Sequence, residues 1–288
     1  MNILESYENF AGDEMLLESK RLQTMVDEFL DIPERQNIQF GIIVATYRRK
    51  DGTTPDRLRD ALESISNQTS KNYKIYLMGD DYENDHEIRN ILEDFDQTRI
   101  EYENMDIPGE RYRFSGHDLW HSGSNFVANI AIEKAIKEGM THMARLDHDD
   151  MWLPGHLHCH AKAITAYPEA KFFSTTALIK RFRTGEDNYT RPDRSSVRKI
   201  DYNNLKTVTD AWHSTISWDL SEFKDLRYRN VREQMLTEPV RAQPRGGDRD
   251  IMERMKMQLK EKNGKWINIP IITMLYRNKM GELPTLIR

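Results

Sequence analysis

The chain has 288 residues, enough for one large domain or two small ones. Its 42 basic and 47 acidic residues leave a net charge of −5, which disfavours a nucleic-acid partner held by bulk positive charge. No stretch approaches the ~18 consecutive apolar residues of a membrane span, and Met1–Lys20 lacks the apolar core of a secretory signal. The single cysteine, Cys159, excludes an internal disulfide and fits a reducing compartment, so the expectation is a cytoplasmic α/β protein.

In residues 1–36, Leu22, Met25, Val26, Phe29 and Leu30 recur at helical steps until Pro33. This extension would brace the main domain or join two copies into a homo-oligomer. From Ile38 the run Phe40, Ile42, Ile43, Val44 and Ala45 reads as a strand covered on both faces. A polar loop leads to Thr54-Pro55, a cap and first-turn proline for a helix burying Leu58, Leu62 and Ile65. A strand over 74–78 runs into Gly79-Asp80-Asp81. A helix with Ile88, Ile91, Leu92 and Phe95 on one side and a weak strand over 100–102 follow.

Residues 124–138 predict a helix closed by Gly139. A strand over 141–146 then delivers Asp147-His148-Asp149-Asp150, and another covers 171–179. Residues 180–199, with seven Lys/Arg against three Asp/Glu, read as an exposed loop or edge hairpin. The C-terminal part holds a strand through Ile216, a helix opening at Gly246-Gly247-Asp248, and a short strand over 271–275 just after Pro270. Alternating strands and helices predict right-handed crossovers and a mainly parallel sheet. Ligands of such sheets bind beyond the carboxyl ends of the strands, where Thr46, Asp80 and Asp147 all fall.

Three carboxylates within four residues repel one another, so the turn at 147–150 calls for a compensating cation. Hard ions such as Mg²⁺ or Mn²⁺ take oxygen ligands and bridge carboxylates to substrate phosphates. An acidic turn capping the next helix is the plainer alternative. His156, His158 and His160 with Cys159 space two imidazoles on one helix face, as zinc sites do, but without a third strong ligand in register. A polar helix bordering a cleft is preferred. His117, Trp120 and His121 share a loop, and Trp212-His213-Ser214 could line a sugar pocket.

Several of these strings, in order, resemble family 2 glycosyltransferases. Phe40-Gly-Ile-Ile-Val-Ala-Thr-Tyr-Arg-Arg49 is similar to the family's opening strand and turn. Leu62-Glu-Ser-Ile-Ser-Asn-Gln-Thr69, Tyr73 and Asp80-Asp81 resemble its next helix and strand. Gly123-Ser-Asn-Phe-Val-Ala-Asn129 resembles the helix before its metal motif, and Leu146-Asp-His-Asp-Asp-Met-Trp-Leu-Pro154 the Asp-x-Asp motif itself. Gly247-Asp248-Arg-Asp250-Ile-Met-Glu-Arg254 is similar to the later acidic motif, and Leu275-Tyr276-Arg277 to the closing segment. Together they cover about residues 38–280.

The resemblance implies a GT-A fold: a Rossmann-like, mainly parallel sheet flanked by helices, continuous with a smaller acceptor-binding half. Residues 37–180 would bind the nucleotide sugar; 181–288 would hold the acceptor and the catalytic base. It implies inverting transfer of a sugar from a nucleotide diphosphate sugar, most often a UDP-sugar, to an acceptor hydroxyl in glycan or polysaccharide synthesis. The acceptor would be a saccharide, a lipid-linked molecule or a protein. Thr46 and Tyr47 would contact the base and ribose, and Asp80 the base. Asp147 would sit by the ribose or the metal, and Asp149 would coordinate Mn²⁺ or Mg²⁺. Arg111, Arg113 and Arg277 would lie beside the nucleotide, and Asp248 would be the general base. A metal ligand cannot also take the acceptor proton, so a second acid distant in sequence is needed; Asp248 or Asp250 supplies it.

Three positions depart from the pattern. Gly79 replaces a common acid before Asp80, and Gly247 the usual Glu before Asp248. Asn278-Lys279-Met280 stands where many relatives carry a histidine. A sugar-1-phosphate nucleotidyltransferase would carry a glycine-rich basic loop after the first strand, whereas the loop over 47–54 has one glycine. A non-catalytic nucleotide- or glycan-binding protein of the same fold draws support from the missing histidine and is opposed by Asp248.

Overall fold

Seven consecutive buried residues, Phe40–Thr46, make strand β1 the centre of the molecule. Its pleat sends Phe40, Ile42 and Val44 to one hydrophobic core and Ile43 and Ala45 to another. The computed structural model describes residues 37–106, 109–183, 186–190, 213–237 and 244–276. The extension over 1–36, the basic stretch from 191, Arg277 and the segment at 278 lie outside the described residues.

Helix α1 (Thr54–Ser66) follows β1, with Pro55 in its first turn. Thr54 closes the preceding loop rather than capping the helix: its hydroxyl donates to the Tyr47 carbonyl at 3.1 Å and accepts the Arg49 N–H at 2.9 Å. Strand β2 (Tyr73–Asp80), helix α2 (Asp85–Leu92) and strand β3 (Ile100–Met105) complete a parallel unit in register with β1. The short helix α3 (Gly116–Ser122) then precedes α4 (Asn125–Lys137) and strand β4 (His142–Arg145), which pairs parallel to β1 on its other side. The sequence reading placed 117–121 in a loop; its residues instead form the seven-residue α3.

The remaining strands are β5 (Met151–Trp152), β6 (Ala170–Arg183), β7 (Glu186–Thr190), β8 (Ile216–Asp219) and β9 (Lys265–Tyr276). The sheet order is β3-β2-β1-β4-β8-β6-β9-β5, with β7 hairpinned onto β6 as the sequence allowed. Most of its paired length is parallel. One face is covered by α1, α2 and α5 (His156–Ala166), the other by α4 and α7 (Gly247–Glu261). The short helix α6 (Val231–Thr237) lies between β8 and α7 in sequence.

Pro270 does not precede the last strand but sits inside it. Pairing with β6 passes from Ser174↔Asn268 to Thr176↔Ile272, and this register shift lets a residue without an N–H sit within β9. The histidines of α5 are also placed differently from expectation. His156 and His160 are fully buried against the sheet, their Nδ1 atoms 2.7 Å from the hydroxyls of Thr273 and Ser217. They are core residues rather than the edge of a cleft. Among the described residues no three His, Cys, Asp or Glu side chains are grouped to hold a metal ion.

Candidate active site

Strand order reverses at β1, which pairs β2 on one side and β4 on the other. The crevice beyond their carboxyl ends is therefore the expected ligand position. Thr46 ends β1, fully buried, with its Oγ1 lacking any hydrogen-bond partner among the described residues. Tyr47 follows; the Arg111 guanidinium lies over its ring at 5.4 Å and the His148 ring meets it edge-on at 5.5 Å. Burial raises the Tyr47 phenol above its ordinary pKa.

Asp80 ends β2 and is 1% exposed. Its Oδ1 accepts the Gly109 N–H at 2.9 Å, while its Oδ2 faces Arg111 Nε at 3.7 Å, beyond hydrogen-bond reach. Burial raises the Asp80 carboxyl despite Gly109 and Arg111, which pull it down. Asp81 takes the left-handed conformation, φ 51°, and its carbonyl accepts Arg111 Nη2 at 2.9 Å. Gly79 has a steric reason: a Cβ there would lie 2.3 Å from Asn104 Oδ1. That amide bonds both the N–H and the carbonyl of Tyr82, fixing the turn after Asp80.

The turn after β4 compensates its three carboxylates with protein groups. Arg145, buried, donates to Asp147 Oδ1 at 3.0 Å and to Ser124 Oγ at 2.9 Å. Burial opposes ionisation of Asp147, but Arg145 and His213 outweigh it and hold the carboxyl well below its usual range. Asp149 Oδ2 receives Arg49 at 3.3 Å and Arg57 at 3.5 Å. Ser214 ties the turn together, accepting the Asp147 N–H and donating to Asp150 Oδ2 at 2.6 Å. His148 Nδ1 pairs with the Ala45 carbonyl at 3.1 Å, and its Nε2 is buried without a partner among the described residues. Three guanidinium groups, those of Arg49, Arg57 and Arg145, thus share the charge of this turn.

Helix α7 brings the distant acids to this end of the sheet. Asp250 is fully buried and paired with Arg229 and Arg254. Asp248 is half-buried, its Oδ1 accepting the Arg249 N–H at 2.7 Å. A Cβ on Gly247 would fall 2.4 Å from Asn125 Oδ1, so a glutamate has no room there. Asn125 itself donates to the Arg229 carbonyl, and Asn129 clamps both backbone groups of Tyr228.

Tyr228 joins the two acidic regions. Its hydroxyl lies 2.7 Å from His213 Nε2, and Arg145 sits over its ring at 5.1 Å. Burial pushes its phenol up to about 12, with Asp147 and Asp248 both adding to the rise. Two carboxylates 101 positions apart thus act on one buried ring. Arg113 is exposed, on the far side of the 110–112 turn from Asp80 in sequence. Sequence reasoning missed Arg49, Arg57, Arg145 and Tyr228. Arg145 carried a signal: a cation placed one residue before the end of an apolar strand that leads into three acids.

The fold is a mixed α/β one, a mainly parallel sheet flanked by helices with polar side chains gathered at its switch point. The solved structures agree in fold. S. aureus TarS residues 1–349, in complex with UDP-GlcNAc, superposes with a TM-score of 0.55 over 85% of this chain and 60% of that one, at 14% identity. The same fragment in complex with UDP gives 0.55 over 84% and 61%, at 12% identity. The chain therefore spans about 60% of the TarS fragment it matches. No family model matches. The uncharacterized glycosyltransferase R139 of Acanthamoeba polyphaga mimivirus is 31% identical over 199 residues, 68% of this chain and 79% of that protein. The chain belongs to the glycosyltransferases, and its fold matches that of TarS.

Proposed function

We propose that the protein transfers a sugar from a nucleoside diphosphate sugar, with a UDP-sugar as the favoured donor, to an acceptor hydroxyl with inversion at the anomeric carbon. One observation carries the donor site. Thr46 Oγ1, Asp80 Oδ2, Arg111 Nε and His148 Nε2 are buried without hydrogen-bond partners among the described residues, all beside the carboxyl ends of β1, β2 and β4. Buried polar groups are rarely left unpaired unless a ligand or water completes them. A nucleoside has the matching parts: a flat base for Tyr47 and Arg111, and polar edges for Asp80 and Thr46.

The diphosphate would then lie toward Asp149, Arg49 and Arg57. A hard dication is commonly held by one or two carboxylates plus substrate phosphates. Asp149, a partly exposed carboxylate whose two arginine contacts both fall on Oδ2, suits Mg²⁺ or Mn²⁺ in that manner, with Asp147 nearby. Such an ion supplies positive charge to the departing diphosphate. The protein's own cations, Arg49 and Arg57, act in the same direction.

The leaving group departs with the electron pair of the glycosidic bond as the acceptor oxygen attacks the opposite face. That oxygen's proton needs a base, and Asp248 fits the role because Asp250 is committed to Arg229 and Arg254. Asp149→Ala should abolish metal-dependent UDP binding in calorimetric titrations with and without Mn²⁺. Asp248→Asn should keep UDP affinity and lose transfer. Unchanged UDP affinity in the Asp149 variant, or wild-type turnover in the Asp248 variant, contradicts the assignment.

A further inference from the structure

Helix α3 carries side chains that the donor site leaves unused. Leu119, His121 and Ser122 anchor it; Ser122 Oγ accepts the Val231 N–H at 3.0 Å. Its other side presents Trp120, 64% exposed, an unusual state for the largest apolar side chain. The Trp120 ring lies 5.0 Å from the His121 ring and 5.7 Å from that of His117, and the two imidazoles are 4.1 Å apart.

His121 links this cluster to the candidate base. It is 8% exposed, and its Nδ1 is buried with no hydrogen-bond partner among the described residues. Its Cδ2 lies 3.8 Å from where a Cβ on Gly246 would stand, two residues before Asp248. Burial and the neighbouring His117 keep the His121 imidazole below its usual pKa, against the pull of Asp118 and Asp248. The cluster thus combines an exposed flat apolar face with a neutral, buried polar ring, next to the acid that would face an incoming hydroxyl.

We infer that α3 forms an acceptor subsite for a pyranose, with the Trp120 indole against the sugar's C–H face. A pyranose is the ligand class this surface suits, since it offers an apolar ring face and polar edges together. A wholly apolar ligand would make no use of the polar rings beside the indole. The inference rests on the glycosyl-transfer reading for its direction, but it is tested separately.

The test is saturation-transfer NMR on the full chain with UDP and Mg²⁺. The probes are the methyl pyranosides of glucose, galactose, mannose and N-acetylglucosamine, with sorbitol as the acyclic control. At least one pyranoside should receive saturation at its ring protons and sorbitol should not. Trp120→Ala should weaken that binding about tenfold, the loss expected for one aromatic contact worth about 1.4 kcal/mol. Trp120→Phe should restore part of it, and UDP affinity should be unchanged in both variants. Because Trp120 is exposed, neither substitution should lower the melting temperature. Pyranoside binding that is absent, or indifferent to Trp120→Ala while UDP still binds, overturns the subsite and leaves the donor site standing. Failure of the wild type to bind UDP overturns the donor reading and, with it, the basis of this inference.

Discussion

Asp248 and Asp250 stand two positions apart on α7, yet replacing them should have opposite consequences. Asp250 is fully buried, receiving Arg229 Nε at 3.0 Å and Arg254 Nε at 2.9 Å as well as the second guanidinium nitrogen of Arg229. The two arginines are themselves only 15% and 18% exposed. Removing one partner of such a group strands the others, at a cost of about 3–5 kcal/mol. At roughly 2–4 °C per kcal/mol for a domain of this size, Asp250→Ala should melt on the order of 10 °C below the wild type. Asp248 is half-buried and accepts its neighbour's N–H, so Asp248→Asn should change stability by no more than about 0.5 kcal/mol. It should nevertheless lower transfer by about 10²–10⁴, the usual contribution of a positioned base. Differential scanning fluorimetry, UDP titration and a donor-turnover assay on the two variants read these effects side by side. An Asp250→Ala protein as stable as the wild type, or an Asp248→Asn protein that turns over normally, would refute the division of labour.

Further outcomes follow from the same geometry. Gly79→Asp adds a second acid before Asp80, but its Cβ meets Asn104 Oδ1 at 2.3 Å and the Asn104 Cα at 3.2 Å. It should cost about 1–3 kcal/mol by overpacking and weaken UDP binding through the adjacent Asp80, as thermal melts and calorimetry would register. Burial lowers His142 to about 4 and His160 to about 3, so the unfolded chain binds protons that the native state refuses. Stability complete above about pH 6.5 should therefore fall as the pH drops toward those values, by about 1.4 kcal/mol per pH unit for each histidine. Urea melts between pH 7 and 5 should show this slope, and His142→Gln should flatten it; a flat wild-type profile would contradict the buried neutral assignment. Asp80→Asn should weaken UDP binding more than ribose-phosphate binding in competition titrations, because the proposed donor site puts the base at Asp80.

The first half of the fold was legible because its physics is local. The unbroken apolar run of β1 requires cover on both faces, and the helical spacing of Leu58, Leu62 and Ile65 supplies one of them. The positions of Thr46 and Asp80 at strand ends, and of Asp147 just beyond one, followed from the apolar runs alone. What stayed hidden depends on tertiary partners. Residues 248 and 250 point to different sides of a helix, but only the position of Arg229 decides which one is inside. Pro270 reads as a strand boundary unless the shifted β6 register is known. The histidines of α5 look like ligands or a polar face until Thr273 and Ser217 arrive from β9 and β8 to bond them. Arg49 and Arg57 resemble solvated loop charges, and they become functional candidates only once the β4 turn brings Asp149 to them.

A crystal structure with a UDP-sugar and Mn²⁺ tests the central claim most directly. The account predicts the base between Tyr47 and Asp80, the diphosphate at Asp149, and the anomeric carbon facing Asp248 across the crevice. A nucleotide bound away from the ends of β1, β2 and β4, or a sugar turned from Asp248, would contradict it.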